Sequence, residues 1–197
     1  MSFNGDQPID RSRLSYSSTC CYSFVRSVDV SVDKCFVPSD ALNEVARKRG
    51  LQPSQIVQYG LPIRKGFWST ESDDTAAVDK QSMRQKLGLD ANFPVVLVVG
   101  GGDGMGGLVD ISKQLGKELG RSASKSQMVV VCGNNQEAKQ QLDGVAWGEG
   151  VNVQIQGFVN NMDEWMRASD ALVTKAGPGT IAEASICGLP CMMFSFL

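Results

Sequence analysis

Histidine is absent from this 197-residue chain. That removes Ser-His-Asp and Cys-His catalysis, Cys/His zinc sites and an imidazole general base. An excess of charge of one sign is lacking too: 19 Lys and Arg stand against 21 Asp and Glu, for a net charge of -2. No basic field points to a nucleic-acid partner, so none is expected and any anion site has to be local. No run approaches the roughly 18 to 20 apolar residues of a transmembrane helix, and the N-terminus has no apolar secretory core. Membrane association is therefore expected to be peripheral. The P-loop pattern GxxxxGK[ST] is missing, which disfavours a P-loop NTPase. The six cysteines (Cys20, Cys21, Cys35, Cys132, Cys187, Cys191) contain no CxxC pair, and four lie in or beside apolar runs where thiols pack as small hydrophobes. A reducing compartment is the simpler reading, and no metal site is expected.

What is present is an alternation. Residues 1–31 are polar and Ser-rich, with Arg11, Arg13 and Arg26 as in a plastid transit peptide but Asp6, Asp10 and Asp29 against one. Residues 34–37 read as a strand, Pro38-Ser39 stops it and offers an N-cap, and a helix runs on to Arg49-Gly50 with Leu42, Val45 and Ala46 as its apolar face. The basic run Arg47-Lys48-Arg49 suits a solvated helix end, or contact with anionic lipid. Residues 67–91 read as a polar, acidic loop leading into a short helix at 83–87. From Pro94 onward, strands over 95–99, 128–131, 151–155, 171–173 and 191–196 alternate with helices over 108–119, 136–142, 162–167 and the segment after 177. The pattern predicts an α/β fold, a doubly wound Rossmann-like parallel sheet with helices on both faces.

In such a sheet, of order 3-2-1-4-5, ligands bind at the carboxyl ends of the first and fourth strands, where the chain reverses direction. Those ends carry two glycine loops, 100–107 and 175–180, roughly 75 residues apart but expected face to face. In TKAGPGTIAEASICGLP (174–190), Gly177 and Gly179 let the backbone approach a ligand and Pro178 suits a first helical position. Alternatively Thr180 and Glu183 form a capping box that starts the helix about two residues later. Either start leaves free N–H groups and the positive dipole end facing an anion, with Glu183 in the first two turns. The plainer alternative is a tight Gly-Pro-Gly turn, with Glu183 offsetting the helix dipole. The run from Gly102 to Gly107 also matches GxGxxG, but a dinucleotide fold wants an acid after the second strand, where this chain has Cys132-Gly133-Asn134-Asn135.

The segments KAGPGTIAEA, the 100–107 glycine loop, GLPIR and DKCFVPSDALNEVARKRGLQPSQIVQYGLPIR together resemble the monogalactosyldiacylglycerol synthases. These are family 28 glycosyltransferases of GT-B fold, related to the lipid II enzyme that adds N-acetylglucosamine. The resemblance spans 32–197. It implies an unassigned polar segment at 1–31, a remnant of the N-terminal acceptor domain and hinge at 32–59, and an incomplete nucleotide-sugar-binding C-terminal domain at 60–197. It also implies a site. Gly101, Gly102, Asp103 and Gly104 fall in the first glycine loop, with Asp103 where the family commonly carries glutamate. Phe158 and Val159 fall on the uracil segment, although both could equally be core at a strand end. Gly179 and Thr180 fall at the diphosphate beside Lys175, Gly177 and Pro178, and Glu183 falls on the ribose hydroxyls.

The implied activity is transfer of galactose from UDP-galactose to diacylglycerol with inversion, on the plastid envelope, with no cofactor beyond the donor. By the same resemblance the acceptor half with its histidine-bearing base precedes Val32, and the sugar-reading Pro-Gly-Gln-Glu segment follows Leu197. The 197-residue chain alone is thus expected to bind donor without transferring galactose, and to expose an apolar edge at 191–196. Two other readings keep the fold: a glycosyltransferase with another lipid-linked acceptor, and a non-catalytic nucleotide-binding module.

Overall fold

The computed structural model describes residues 14–16 as backbone, and 30–68, 79–100 and 107–194 in full. The chain divides into two compact units, Met1–Pro62 and Ile63–Leu197. In the first, strands β1 (Leu14–Tyr16), β2 (Lys34–Val37) and β3 (Ile56–Gln58) form a parallel sheet in the order β1-β2-β3. Helix α1 (Asp40–Lys48) is capped by Ser39, whose hydroxyl accepts from the Leu42 N–H at 3.4 Å. Its apolar stripe of Leu42 and Ala46 closes over Cys35 and Val37 of β2. Strand β1 lies inside the stretch that composition left unassigned, since three residues of Leu-Ser-Tyr carry too little periodicity to read.

The second unit alternates helix and strand: α2 (Lys80–Lys86), β4 (Val95–Val99), α3 (Leu108–Arg121), β5 (Ser126–Val131), α4 (Gln136–Asp143), β6 (Val151–Gln156), α5 (Met162–Ala168), β7 (Ala171–Thr174), α6 (Pro178–Ile186) and β8 (Cys191–Met193). The five strands are all parallel in the order β6-β5-β4-β7-β8, which is 3-2-1-4-5 in chain order. Period-two alternation deals the side chains to two faces. Leu97, Val99, Val129, Val131 and Leu172 pack against Trp165 and Met166 of α5 and Ala184 of α6. Val98, Met128, Val130 and Val173 pack against Leu108 of α3 and Ala138 and Leu142 of α4. Each fully buried Val, Leu or Met contributes about 1.5–3 kcal/mol relative to exposure.

Several boundaries differ from the sequence expectation. Strand β5 starts at Ser126 because buried Gln127, a residue that does not read as strand, satisfies its amide through the Asp90 N–H and the carbonyls of Asp90 and Phe93. Helix α2 starts at Lys80, three residues early. Strand β8 is assigned over Cys191–Met193, and the Phe194 N–H extends its ladder to the Thr174 carbonyl; residues 195–197 lie outside the described part. Met192 and Met193 are exposed there. In α3, Gly116 is required by close approach, since a Cβ would meet the Trp147 ring at 2.5 Å.

The amino ends of the strands are tied by one buried cation. Arg84, 6% exposed, donates through Nε to the Ala168 carbonyl, through Nη1 to the Ala91 carbonyl and through Nη2 to Asp170. Asp170 also accepts from the Val95 N–H at 2.8 Å and from Lys80 at 3.0 Å. Burial pushes the Asp170 carboxyl upward, but the Val95 N–H, Lys80 and Arg84 together outweigh it and hold the group below its usual range. A folded-state pKa below the unfolded one stabilises fully above the unfolded value, about 3.9, and that stabilisation disappears as pH falls through the folded value. Urea titrations from pH 6 down to 2 should therefore show an acid limb that Asp170→Asn flattens. An unchanged limb in that variant would remove Asp170 from this role.

Candidate functional site

Strands β4 and β7 are adjacent, with Val99 opposite Thr174, and the Thr174 hydroxyl donates to the Val99 carbonyl across the 75 residues that separate them in sequence. The two glycine loops therefore leave the sheet side by side at the switch point. Gly100 is described, and its N–H reaches the Val131 carbonyl at 3.4 Å. The proposed contacts Gly101, Gly102, Asp103 and Gly104 lie outside the described residues. The first loop re-enters as Gly107, at φ 78°, capping α3.

At the second loop the structure decides between the two helix starts. Gly177 is the N-cap in an extended conformation, Pro178 is the first helical residue, and no side chain caps the end. The Thr180–Glu183 capping box does not form, because the Glu183 carboxylate is engaged elsewhere. The Gly177 N–H bonds the Lys175 carbonyl at 2.7 Å, and Ile181 returns to the Gly177 carbonyl. Geometry leaves the N–H groups of Gly179 and Thr180 without intrahelical partners. Among the described residues, a Cβ on Gly179 would meet nothing within 4 Å. Lys175, Gly177, Pro178, Gly179 and Thr180 are all half-buried along it.

Glu183 sits one and a half turns into α6 with only 7% of its side chain exposed, a position a carboxylate tolerates only when paired. Its partner is Arg64. Nε donates to Oε1 at 2.6 Å and Nη2 to Oε2 at 2.5 Å, a side-on fork that engages both oxygens. This bond to Glu183 raises the Arg64 pKa above its already high ordinary value. The Phe67 ring lies 5.3 Å below the guanidinium. The turn that carries it, Lys65–Phe67, is held by Arg167, which donates to the Gly66 carbonyl at 3.0 Å. Gly66 allows that approach, since a Cβ there would meet the Asp163 carboxyl at 2.6–2.8 Å. Arg64 lies in the GLPIR segment, where nothing local marks it as a site residue, because its partner lies 119 residues away.

Beside this pair opens a cleft of about 160 Å³ at the carboxyl ends of β4 and β5, lined by Arg64, Val99, Gly100, Gly133, Phe158 and Val159 among others. For scale, a cavity of about 150 Å³ holds a benzene ring. Val159 is partly buried against the core and also lines the cleft, and Phe158 is 67% exposed there. After β5, Cys132 is buried and Asn135 caps α4 through the Ala138 N–H, so no acid stands where a dinucleotide fold needs one. Among the described residues no cluster of three or more metal-ligating side chains exists.

Residues 95–196 match the Glycosyltransferase family 28 C-terminal domain. The chain belongs to this family. Among curated relatives, it is 43% identical over 169 residues to a probable monogalactosyldiacylglycerol synthase 2, chloroplastic, of Oryza sativa subsp. japonica, covering 84% of this chain and 34% of that one. It is 40% identical to the monogalactosyldiacylglycerol synthase of Spinacia oleracea, over 84% of this chain and 31% of the relative. For the synthase 1 of Arabidopsis thaliana the identity is 39%, over 84% and 30%. The family 28 chain thus spans about a third of the length of these relatives. Among solved structures, WaaG, a glycosyltransferase involved in lipopolysaccharide biosynthesis, superposes with a TM-score of 0.52 at 18% identity, over 81% of this chain and 44% of that one. That likeness gives the fold, the Rossmann-like C-terminal domain of a GT-B glycosyltransferase.

Because Glu183 is buried and Arg64 half exposed, Arg64→Ala strands the carboxylate and should cost about 1–3 kcal/mol in urea unfolding. Glu183→Gln in the same background should recover part of that loss; strictly additive costs would mean that the two side chains do not act as a pair.

Proposed function

We propose that this chain is the donor-binding part of a monogalactosyldiacylglycerol synthase, which moves galactose from UDP-galactose to 1,2-diacylglycerol. The observation that carries the reading is the open N-terminus of α6 beside the cleft at the switch point, with the buried Glu183 carboxylate one turn further on. The names of the relatives support a monogalactosyldiacylglycerol product and a chloroplast location, and UDP-galactose and diacylglycerol are the donor and acceptor that the family resemblance implies. In this reading the diphosphate lies against the N–H groups of Gly179 and Thr180, with Lys175, Gly177, Pro178 and the loop residues Gly101, Gly102, Asp103 and Gly104 around it. The uracil ring enters the cleft against Phe158 and Val159, and Glu183 accepts from the ribose hydroxyls.

The acceptor hydroxyl oxygen attacks the anomeric carbon from the face opposite the diphosphate. A C–O bond forms to the lipid as the bond to the diphosphate breaks, the hydroxyl proton passes to a base, and UDP leaves with the electron pair; the anomeric centre inverts. Backbone donors and the helix dipole stabilise the charge that grows on the departing diphosphate. No base is assigned to this chain, and no metal or cofactor enters the reading. Diacylglycerol is met at a membrane surface, where the protein docks peripherally; no helix among the described residues is long and apolar enough to cross a membrane.

Calorimetry with UDP tests the donor assignment. Glu183→Ala should weaken binding by about 1.5–3 kcal/mol, the value of a charge-assisted pair. Equal affinity in both proteins, or NADH bound in preference to UDP, would overturn it. Chelation with EDTA should leave UDP affinity unchanged, and a loss on chelation would show that a metal carries the diphosphate.

A further inference from the structure

The Arg64–Glu183 fork leaves the carboxylate half used. An ionised carboxylate offers about four lone-pair positions, two per oxygen. Arg64 takes one on Oε1 and one on Oε2, and among the described residues these are the only hydrogen bonds given to the carboxylate. One acceptor position on each oxygen is therefore taken by no described residue. The carboxylate cannot turn away, since it is 7% exposed and its oxygens are gripped by a planar donor. Arg64 in turn is braced from two sides: the Phe67 ring lies 5.3 Å below its plane, and the Lys65–Phe67 turn is pinned at Gly66 by Arg167. The exposed half of Arg64 lines the cleft itself. Two acceptors fixed by a guanidinium that itself lines a ring-sized cleft match two neighbouring hydroxyls, a demand that a single hydroxyl meets only by half.

We propose that Arg64 is a positioning residue that orients Glu183 to read a vicinal diol, and that the pair sets a preference for a ribonucleotide over a deoxyribonucleotide in the donor. This rests on the donor site proposed above. Arg64 acts through Glu183, and Lys at this position would keep the charge but lose the fork that fixes the carboxylate plane.

The test is the ratio of affinities for UDP and 2′-deoxy-UDP, measured by calorimetry on the 197-residue chain. Wild type should favour UDP by about tenfold or more, the scale of one charge-assisted hydrogen bond. Glu183→Gln should bring the ratio close to one, Arg64→Gln should do nearly the same, and Arg64→Lys should fall between. The double variant should show no further loss. Retention of the wild-type ratio in Arg64→Gln, with Glu183→Gln losing it, would overturn the role of Arg64 while leaving the donor site intact. Tighter UDP binding in Arg64→Gln would overturn it too, by showing that Arg64 blocks the diol. A wild type that binds both nucleotides equally would overturn the proposed preference while leaving the donor site intact, whereas a wild type that does not bind UDP would sink the donor reading. Thermal melts accompany each variant; should Arg64→Gln not fold, an Arg64→Lys protein with the full wild-type ratio is sufficient to overturn the proposal.

Discussion

A strand that is apolar on both faces cannot lie at a surface, and Val95–Val99 is such a strand. It has to be paired along both edges and covered above and below. The chain meets the demand by placing β5 on one side and β7 on the other, with α3 and α4 over one face and α5 and α6 over the other. The reversal of direction between β4 and β7 is a by-product of that arrangement, and so is the crevice it leaves. The candidate site is thus located by the burial of valines that take no part in binding.

Much of this was legible because period-two strands and glycine-bounded helices are local signals. The runs at 95–99 and 151–155 and the close of α1 at Gly50 follow from residues a few positions apart, and the order of the five strands follows from the alternation of strand and helix. What escaped was carried by pairings across long separations or by polar residues in buried places. Gln127 counts against a strand until its amide is seen to meet Asp90 and Phe93. Of the two helix starts the local residues allow, the one at Pro178 is taken and leaves Thr180 inside the helix, while the Glu183 oxygens are held by a bidentate contact with the guanidinium of Arg64. Local rules rank local partners only.

The electrostatic design is economical. With a net charge of -2 and no histidine, the C-terminal unit places its fixed charges where burial makes them count. Arg84 with Asp170 locks the amino ends of the strands, and Arg64 with Glu183 stands at the carboxyl ends. One pair belongs to the scaffold and the other to the crevice, and the parallel sheet keeps them apart. In the proposed reading the diphosphate is left mainly to backbone dipoles, which cannot be titrated and which no side-chain substitution removes.

The pairing of β4 with both a near and a distant strand also has a consequence in time. As the chain is made, β5 follows β4 closely and can cover one of its edges, but the other edge belongs to β7, 75 residues on from Val99. At ~5–20 residues per second, the stretch from Val131 to Thr174 takes on the order of a few seconds to emerge. Throughout that interval the most apolar strand of the unit is a temporary sheet edge, open to any passing chain that offers a complementary strand. The strand order that creates the crevice therefore leaves the nascent polypeptide with one uncovered apolar edge, an exposure that ends when Thr174 bonds to Val99.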